Sequence, residues 1–325
     1  MNNKIIKNYN SVFKLTNQAI VNKIVKAILL GYFIFFISCK EYSLKYMPEK
    51  GMAFDYQIEA KTFISQRVAE QDVVIENTVN IILANKVTNT QPDLVTIESY
   101  YKYIDMLVNT GTKSYFSSND TTQTKADNNN DIGAFLPTIT NKPFTILVNH
   151  KGKVEQITGF DSIKYHMNLI DADLTKKQQL IQSIEKQFGH NALKSIFENF
   201  TAVYPPHIVK VGDSWKLTNK IYGSYIINTN NTLTLKSLKN DIAKITYQSN
   251  IDAFENDNTS EIGGVIIKTS LSGKQSGYVT INTAENKIIS GEINQVLKGN
   301  VKIYQLRTNI EIPVKINIQL KLSSI

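Results

Sequence analysis

The chain predicts an α+β domain: an extended antiparallel β-sheet, half-barrel or sandwich-like, with two or three amphipathic helices inserted mid-chain. Three observations carry this. Apolar and polar residues alternate with a period of two from residue 52 onward and again over 209–325. Between those regions, over 160–204, the apolar residues fall at helical spacing. The order is strands, then helices, then strands, without the strand–helix–strand alternation that a parallel sheet requires.

The first 38 residues stand apart from that domain. They carry Lys4, Lys7, Lys14, Lys23 and Lys26 and no Asp or Glu, so five of the eight net positive charges lie there. About +3 remains, spread without a basic block, which is a solubility feature and argues against a nucleic-acid partner. After Lys26 comes the apolar run AILLGYFIFFI, residues 27–37, followed by Ser38 and Cys39. A run of about 11 residues is short of the roughly 20 a spanning helix needs, and reads as the core of a signal peptide over 1–38. FISC resembles a bacterial lipobox, with Phe36 where Leu is usual. It implies cleavage before Cys39 and acylation of its sulfur. The alternatives are a chance cysteine at the end of a secretory signal, or a short uncleaved anchor.

Cys39 is the only cysteine in the chain, so an exported protein of this sequence has no disulfide to form. Each acyl CH₂ buried in the bilayer contributes roughly 0.8 kcal/mol, so two or three chains hold firmly. The polar stretch KEYSLKYMPEKG, residues 40–51, completes a tether assigned to 39–51. Its Lys40-Glu41 pair resembles the charged export signals of some Bacteroidetes-type lipoproteins. The expected location is the outer membrane, on its periplasmic or cell-surface face.

The domain is assigned to 52–325. Phe54, Tyr56, Ile58 and Ala60 alternate with polar neighbours, Val79, Ile81 and Leu83 do the same, and DLVTIESYYKYIDMLV is β-branched and aromatic. Residues 117–131, SSNDTTQTKADNNND, carry no large apolar side chain and are expected to form a flexible loop. PFTILVNHKGKVEQITGF reads as a hairpin turning at His150-Lys151-Gly152-Lys153. In the helical insert, Leu180, Ile181, Ile184 and Phe188 share one stripe, with Asp173 as N-cap and Gly189 as terminator. A second helix is capped by Asn191, carries Leu193, Ile196, Phe197 and Phe200 on one face, and stops at Tyr204-Pro205-Pro206. GSYIINTNNTLTLKSL, DIAKITYQSN, GGVIIKTSL, SGYVTIN and IPVKINIQLKL then read as separate strands.

NHKGKVEQITGFDSI, FGHNALKSIFENF, VKVGDSWKL and SGYVTINTAENKIISGE occur in the order found in a Bacteroidetes-type lipoprotein family with a C-terminal β-rich domain of unknown function. The chain resembles that family over most of 52–325. The resemblance implies export, lipid attachment and a β-rich domain. It brings no catalytic or binding residue with it.

The Gly212-Asp213-Ser214 stretch invites comparison with Gly-Asp-Ser-Leu esterases. Their base is a histidine near the C-terminus, whereas the last histidine here is His207, before the serine. Without a base the hydroxyl is a poor nucleophile, so the expectation is a turn at Gly212-Asp213 and a strand that sends Trp215 and Leu217 inward. Asp127, Asn129 and Asp131 have calcium-loop spacing, but Ile132 stands where Gly is needed and Thr138 where the closing Glu is needed. His150, His166, His190 and His207 lack metal-ligand spacing. Tyr100, Tyr101 and Tyr103 could stack on a sugar, or belong to the core and rim. No enzyme activity, metal or cofactor is expected. Two functions remain: an envelope lipoprotein binding a lipid or other hydrophobic small molecule in a groove between sheet and helices, or a structural or protein-interaction module of the outer membrane without a ligand.

Overall fold

The structure is a computed structural model describing residues 40–68, 70–120, 122, 131–169, 174–222, 225–254, 258–262, 265–305 and 308–325. One unit runs over Tyr42–Ile325. Its described strands are β1 (Ala53–Val68), β2 (Gln71–Thr90), β3 (Leu94–Asn109), β4 (Ser114–Ser118), β5 (Phe144–Asn149), β6 (Val154–Thr158), β7 (Ser214–Ile221), β8 (Ile227–Lys239), β9 (Ile242–Ala253), β10 (Thr259–Ile262), β11 (Val265–Asn282), β12 (Lys287–Gln305) and β13 (Thr308–Ser324). The described helices are α1 (Asp131–Ile139), α2 (Phe160–Asn168), α3 (Leu174–Phe188) and α4 (His190–Thr201). All thirteen strands belong to one sheet, so a two-sheet sandwich is replaced by a single open surface. Its order is β6-β5-β3-β2-β1-β13-β12-β11-β9-β8-β7, with β4 beside β3 and β10 beside β11.

That sheet is curled around α4. Eleven strands laid flat at about 4.8 Å spacing span roughly 48 Å, yet a helix of 12 residues is only about 18 Å long. Even so, α4 touches β6 at one edge, β12 in the middle and β7 at the other edge. Its side chains take the place of a neighbouring strand. Glu198 accepts the Val154 N–H at 2.8 Å, Lys194 donates to the Val154 carbonyl at 2.7 Å, and the Ser195 hydroxyl accepts the Tyr222 N–H at 2.7 Å. The helix therefore satisfies backbone groups at the start of β6 and just past the end of β7 that would otherwise be unpaired.

Glycine permits the curvature. A Cβ at Gly273 would lie 2.0 Å from the Val296 carbonyl oxygen, and one at Gly299 would lie 1.9 Å from that of Ser270, so β11 and β12 approach more closely than a side chain allows.

Registered rows of side chains cross the concave face. One runs Leu235, Ile245, Val279, Gly291, Leu322, Ile58, Ile81 and Ile104 under the helices. Leu193, Phe197 and Phe200 of α4 are buried against this core, each contributing about 1.5–3 kcal/mol by leaving water. Two rows further along lie Asn231, Ser249, Gln275 and Gln295, all buried. Ser249 donates to Asn231, Asn231 to the Thr229 hydroxyl at 3.2 Å, and Gln295 to Gln275 at 2.5 Å. Beyond them is a second apolar cluster around Ile251, Leu297 and Ile316. The convex face is mainly polar, with Lys298, Lys315 and Lys321 exposed, although Phe63, Val74 and Val296 are exposed there too.

Several expectations change. The segment read as a tether is ordered from Tyr42. Tyr42 and Val209 exchange backbone bonds of 2.8 and 3.0 Å, the Tyr46 N–H reaches the His150 carbonyl at 2.8 Å, and Leu44 and Tyr46 are buried. The expected loop 117–131 is bounded more tightly, since Ser117 and Ser118 are buried at the end of β4 and Asp131 opens α1; much of the rest lies outside the described residues. Two strands expected on either side of residue 273 are one, β11. The cap of α4 is Gly189, not Asn191, and Asp173 lies outside the described residues.

Candidate functional site

The helical insert lies where it was expected, and its helices leave a cleft between them. Two glycines set the helix directions. Gly159, at φ 97°, turns β6 into α2 so closely over β5 that a Cβ there would be 3.0 Å from the Phe144 Cα. Gly189 separates α3 from α4, and a Cβ there would meet the Glu185 carbonyl oxygen at 2.4 Å. The Tyr101 hydroxyl donates to the Phe188 carbonyl at 2.8 Å, tying the end of α3 to β3.

The resulting cleft has a volume of about 380 Å³, within the roughly 300–1,000 Å³ range of small-molecule sites. Its apolar wall comes from Ile139 of α1, Ile157 of β6, Phe160, Ile163 and Met167 of α2, and Ile184 and Phe188 of α3. Phe160 packs on Phe144 with ring centres 5.1 Å apart. At the rim, Lys164 and Glu185 pair at 3.0 Å, with Asp161, His190 and Asn191 nearby. Partial burial, reinforced by the Lys194 and Lys164 ammonium groups, holds the His190 imidazole below its usual pKa and so favours its neutral form. Lys164 and Glu185 offset each other and Asp161 leaves one negative charge at the rim, while the apolar wall offers dispersion contacts. This arrangement suits an apolar body carrying a small polar group.

The helical stripe divides between cleft and core. Ile184 is buried in the same core cluster as Leu193 and Phe197 and also borders the cleft, and Leu180, Ile181 and Ile196 pack half-buried against that cluster. Phe160, Ile163 and Met167 went unassigned in the sequence, although their spacing of three and then four residues is helical. Cys39, Asp127 and Asn129 lie outside the described residues, and Asp131 lies in α1. Ser214 opens β7 on the exposed face, its hydroxyl 2.8 Å from that of Thr234, while Trp215 is buried. Gly212, at φ 101°, forms the turn, and Asp213 accepts the Lys210 N–H at 2.9 Å. The four histidines stand apart: His150 in the β5–β6 turn, His166 on α2, His190 at the start of α4 and His207 in an exposed loop. A bulge in β3 puts Tyr101 on the core face and Tyr100 and Tyr103 on the other, so the three rings form no single platform.

A family model described as a family of unknown function, DUF6263, matches residues 92–286, a span that includes every residue lining the cleft. No curated protein matches the chain. Among solved structures, one described as lipid–protein interactions in lipovitellin is similar at 7% identity and a TM-score of 0.48. The likeness covers 85% of this chain, which spans 25% of the lipovitellin chain. The COG4313 outer membrane channel from Pseudomonas putida F1 is 8% identical over 86% of this chain and 98% of that one, with a TM-score of 0.21. OccK11 (OpdR) from Pseudomonas aeruginosa is 7% identical over 87% of this chain and all of that one, with a TM-score of 0.18. At such scores the three likenesses carry no argument.

Proposed function

The chain belongs to the DUF6263 family of unknown function, and on that premise we propose that it is an acyl-anchored outer-membrane lipoprotein of the Bacteroidetes type that holds a hydrophobic ligand in the helical cleft. The observation that carries ligand binding is the cleft itself: about 380 Å³ walled by Ile139, Ile157, Ile163, Met167, Ile184 and Phe188. An apolar body seated against these side chains gains dispersion contacts, and the polar groups Thr158, Asp161, Lys164, Glu185, His190 and Asn191 beside them can hold a polar end. The anchor is read from FISC and the apolar run before it. The lysines of the convex face, Lys298, Lys315 and Lys321 among them, favour a domain tethered to the bilayer over one that spans it, because each Lys facing lipid at the midplane costs roughly 2–4 kcal/mol. No nucleic acid, metal or cofactor has a part in this reading.

One observation favours a module without a ligand: Leu193, Phe197 and Phe200 pack fully into the core, so the helices do more than roof a groove. Titration with N-phenyl-1-naphthylamine separates the two. The parent should bind the dye and enhance its fluorescence, whereas Ile163→Trp, which fills the cleft, should bind it at least about tenfold more weakly, a loss of about 1.4 kcal/mol. Equal binding by a folded Ile163→Trp, or none by the parent, contradicts the ligand reading. Ile139→Phe adds bulk to the same cleft from α1.

A further inference from the structure

We propose that the end of the domain bearing Tyr42, Ile208 and Val211 rests on the membrane surface, so that the anchor fixes orientation as well as location. This inference rests on the reading of Cys39 as the acylated residue. Only Lys40 and Glu41 separate Cys39 from Tyr42, and three residues of extended chain reach no more than about 11 Å. From Tyr42 the backbone is held by two hydrogen bonds to Val209, and Tyr46 is buried four residues later. The domain therefore has little slack in which to turn away from the bilayer.

The surface at that attachment suits a lipid headgroup region. Val209 is buried, while its neighbours Ile208 and Val211 are 57% and 47% exposed. The Gly212 N–H donates to the Leu235 carbonyl at 2.8 Å, four residues before β8 ends at Lys239, so this turn lies toward the end of the sheet where β8 turns into β9. Ile242, just past that turn, is exposed, and so are Lys239, Asn240 and Asp241 within it. Apolar side chains at a polar rim partition into the bilayer interface. The opposite end is distant. Ile310 is also exposed but lies twelve residues along β13 from Leu322, which shares a registered row with Leu235. That separation is about 40 Å along the strands.

The chain's single cysteine makes the test direct, because acylation consumes its only thiol. The full lipoprotein, purified from membranes, is prepared as Val211→Cys and as Ile310→Cys. Each is labelled with a thiol-reactive nitrobenzoxadiazole dye and reconstituted into phosphatidylethanolamine–phosphatidylglycerol vesicles containing a nitroxide-labelled lipid. Quenching at Val211 should be several-fold stronger than at Ile310. Equal quenching at both positions, stronger quenching at Ile310, or none at either, with the protein still floating with the vesicles, overturns the docking while leaving the anchor intact. Dye uptake by the parent at Cys39 overturns the anchor reading, and the docking with it.

Discussion

Replacing Gly291 by Ala tests whether the sheet is curled tightly onto α4. The added Cβ would sit 2.6 Å from Cδ1 and 2.9 Å from Cε1 of Phe200, a side chain with no exposed surface. Overpacking of this kind costs about 1–3 kcal/mol, and removing a strand glycine returns about 0.5–1, so the net loss should lie between about 0 and 2.5 kcal/mol. Phe200→Leu removes ring atoms from the same contact and should cost about 1–2 kcal/mol, less than the 3–5 of Phe→Ala. In the double variant the smaller side chain makes room for the methyl group. Its loss should fall short of the sum by about 1 kcal/mol, within the range seen for residues in contact. Urea midpoints of the four proteins, with unchanged slopes, give the coupling. Additivity within about 0.3–0.5 kcal/mol would refute the close approach of α4 to β12.

Two further outcomes test the block after the helices and the contact of α4 with β6. Trp215→Ala should lose about 3–5 kcal/mol because the indole is buried, while Ser214→Ala should stay within about 0.5 kcal/mol, as read from denaturation midpoints; a hydrolase activity lost with the serine would contradict the structural role of this turn. Burial pushes the Glu198 carboxyl up, against the Val154 N–H and Lys194 that pull it down. The folded chain thus binds that proton more tightly than the unfolded chain. Stability should fall as pH rises from about 4.5 through the raised value, and Glu198→Gln should remove that part of the slope. An unchanged pH profile in the variant would exclude Glu198 as its source.

Much of the fold was legible because most strands keep one face buried, and their period of two survives in β1, β3, β8 and β9. It failed in β11, where the concave face reads Leu271, Gly273, Gln275, Gly277, Val279. Two glycines that admit the curl and a glutamine satisfied by Gln295 interrupt the apolar alternation, so one long strand looked like two. The packed segment before β1 was obscured differently. Leu44, Tyr46 and Pro48 do alternate inward, but Lys45, Glu49 and Lys50 around them give the composition of a linker. The cleft was half legible. Ile184 lay on a recognised stripe, whereas Ile163 and Met167 belong to a nine-residue helix too short for a strong periodic signal. The approach of α4 to both sheet edges depends on contacts far apart in sequence, between Val154 and Glu198 and between Ser195 and Tyr222, and no local pattern reports it.

A cleft that serves as a ligand site is occupied by a hydrophobic molecule in the cell. Native mass spectrometry of the full lipoprotein, followed by extraction and identification of whatever leaves with it, addresses this most directly. The parent should carry a small hydrophobic ligand beyond the mass of its own acyl chains, and Ile163→Trp, folded and anchored alike, should carry none. A parent bearing only its covalent lipid, with the same mass pattern in the variant, would contradict the claim and leave a lipid-anchored module whose helices serve the core.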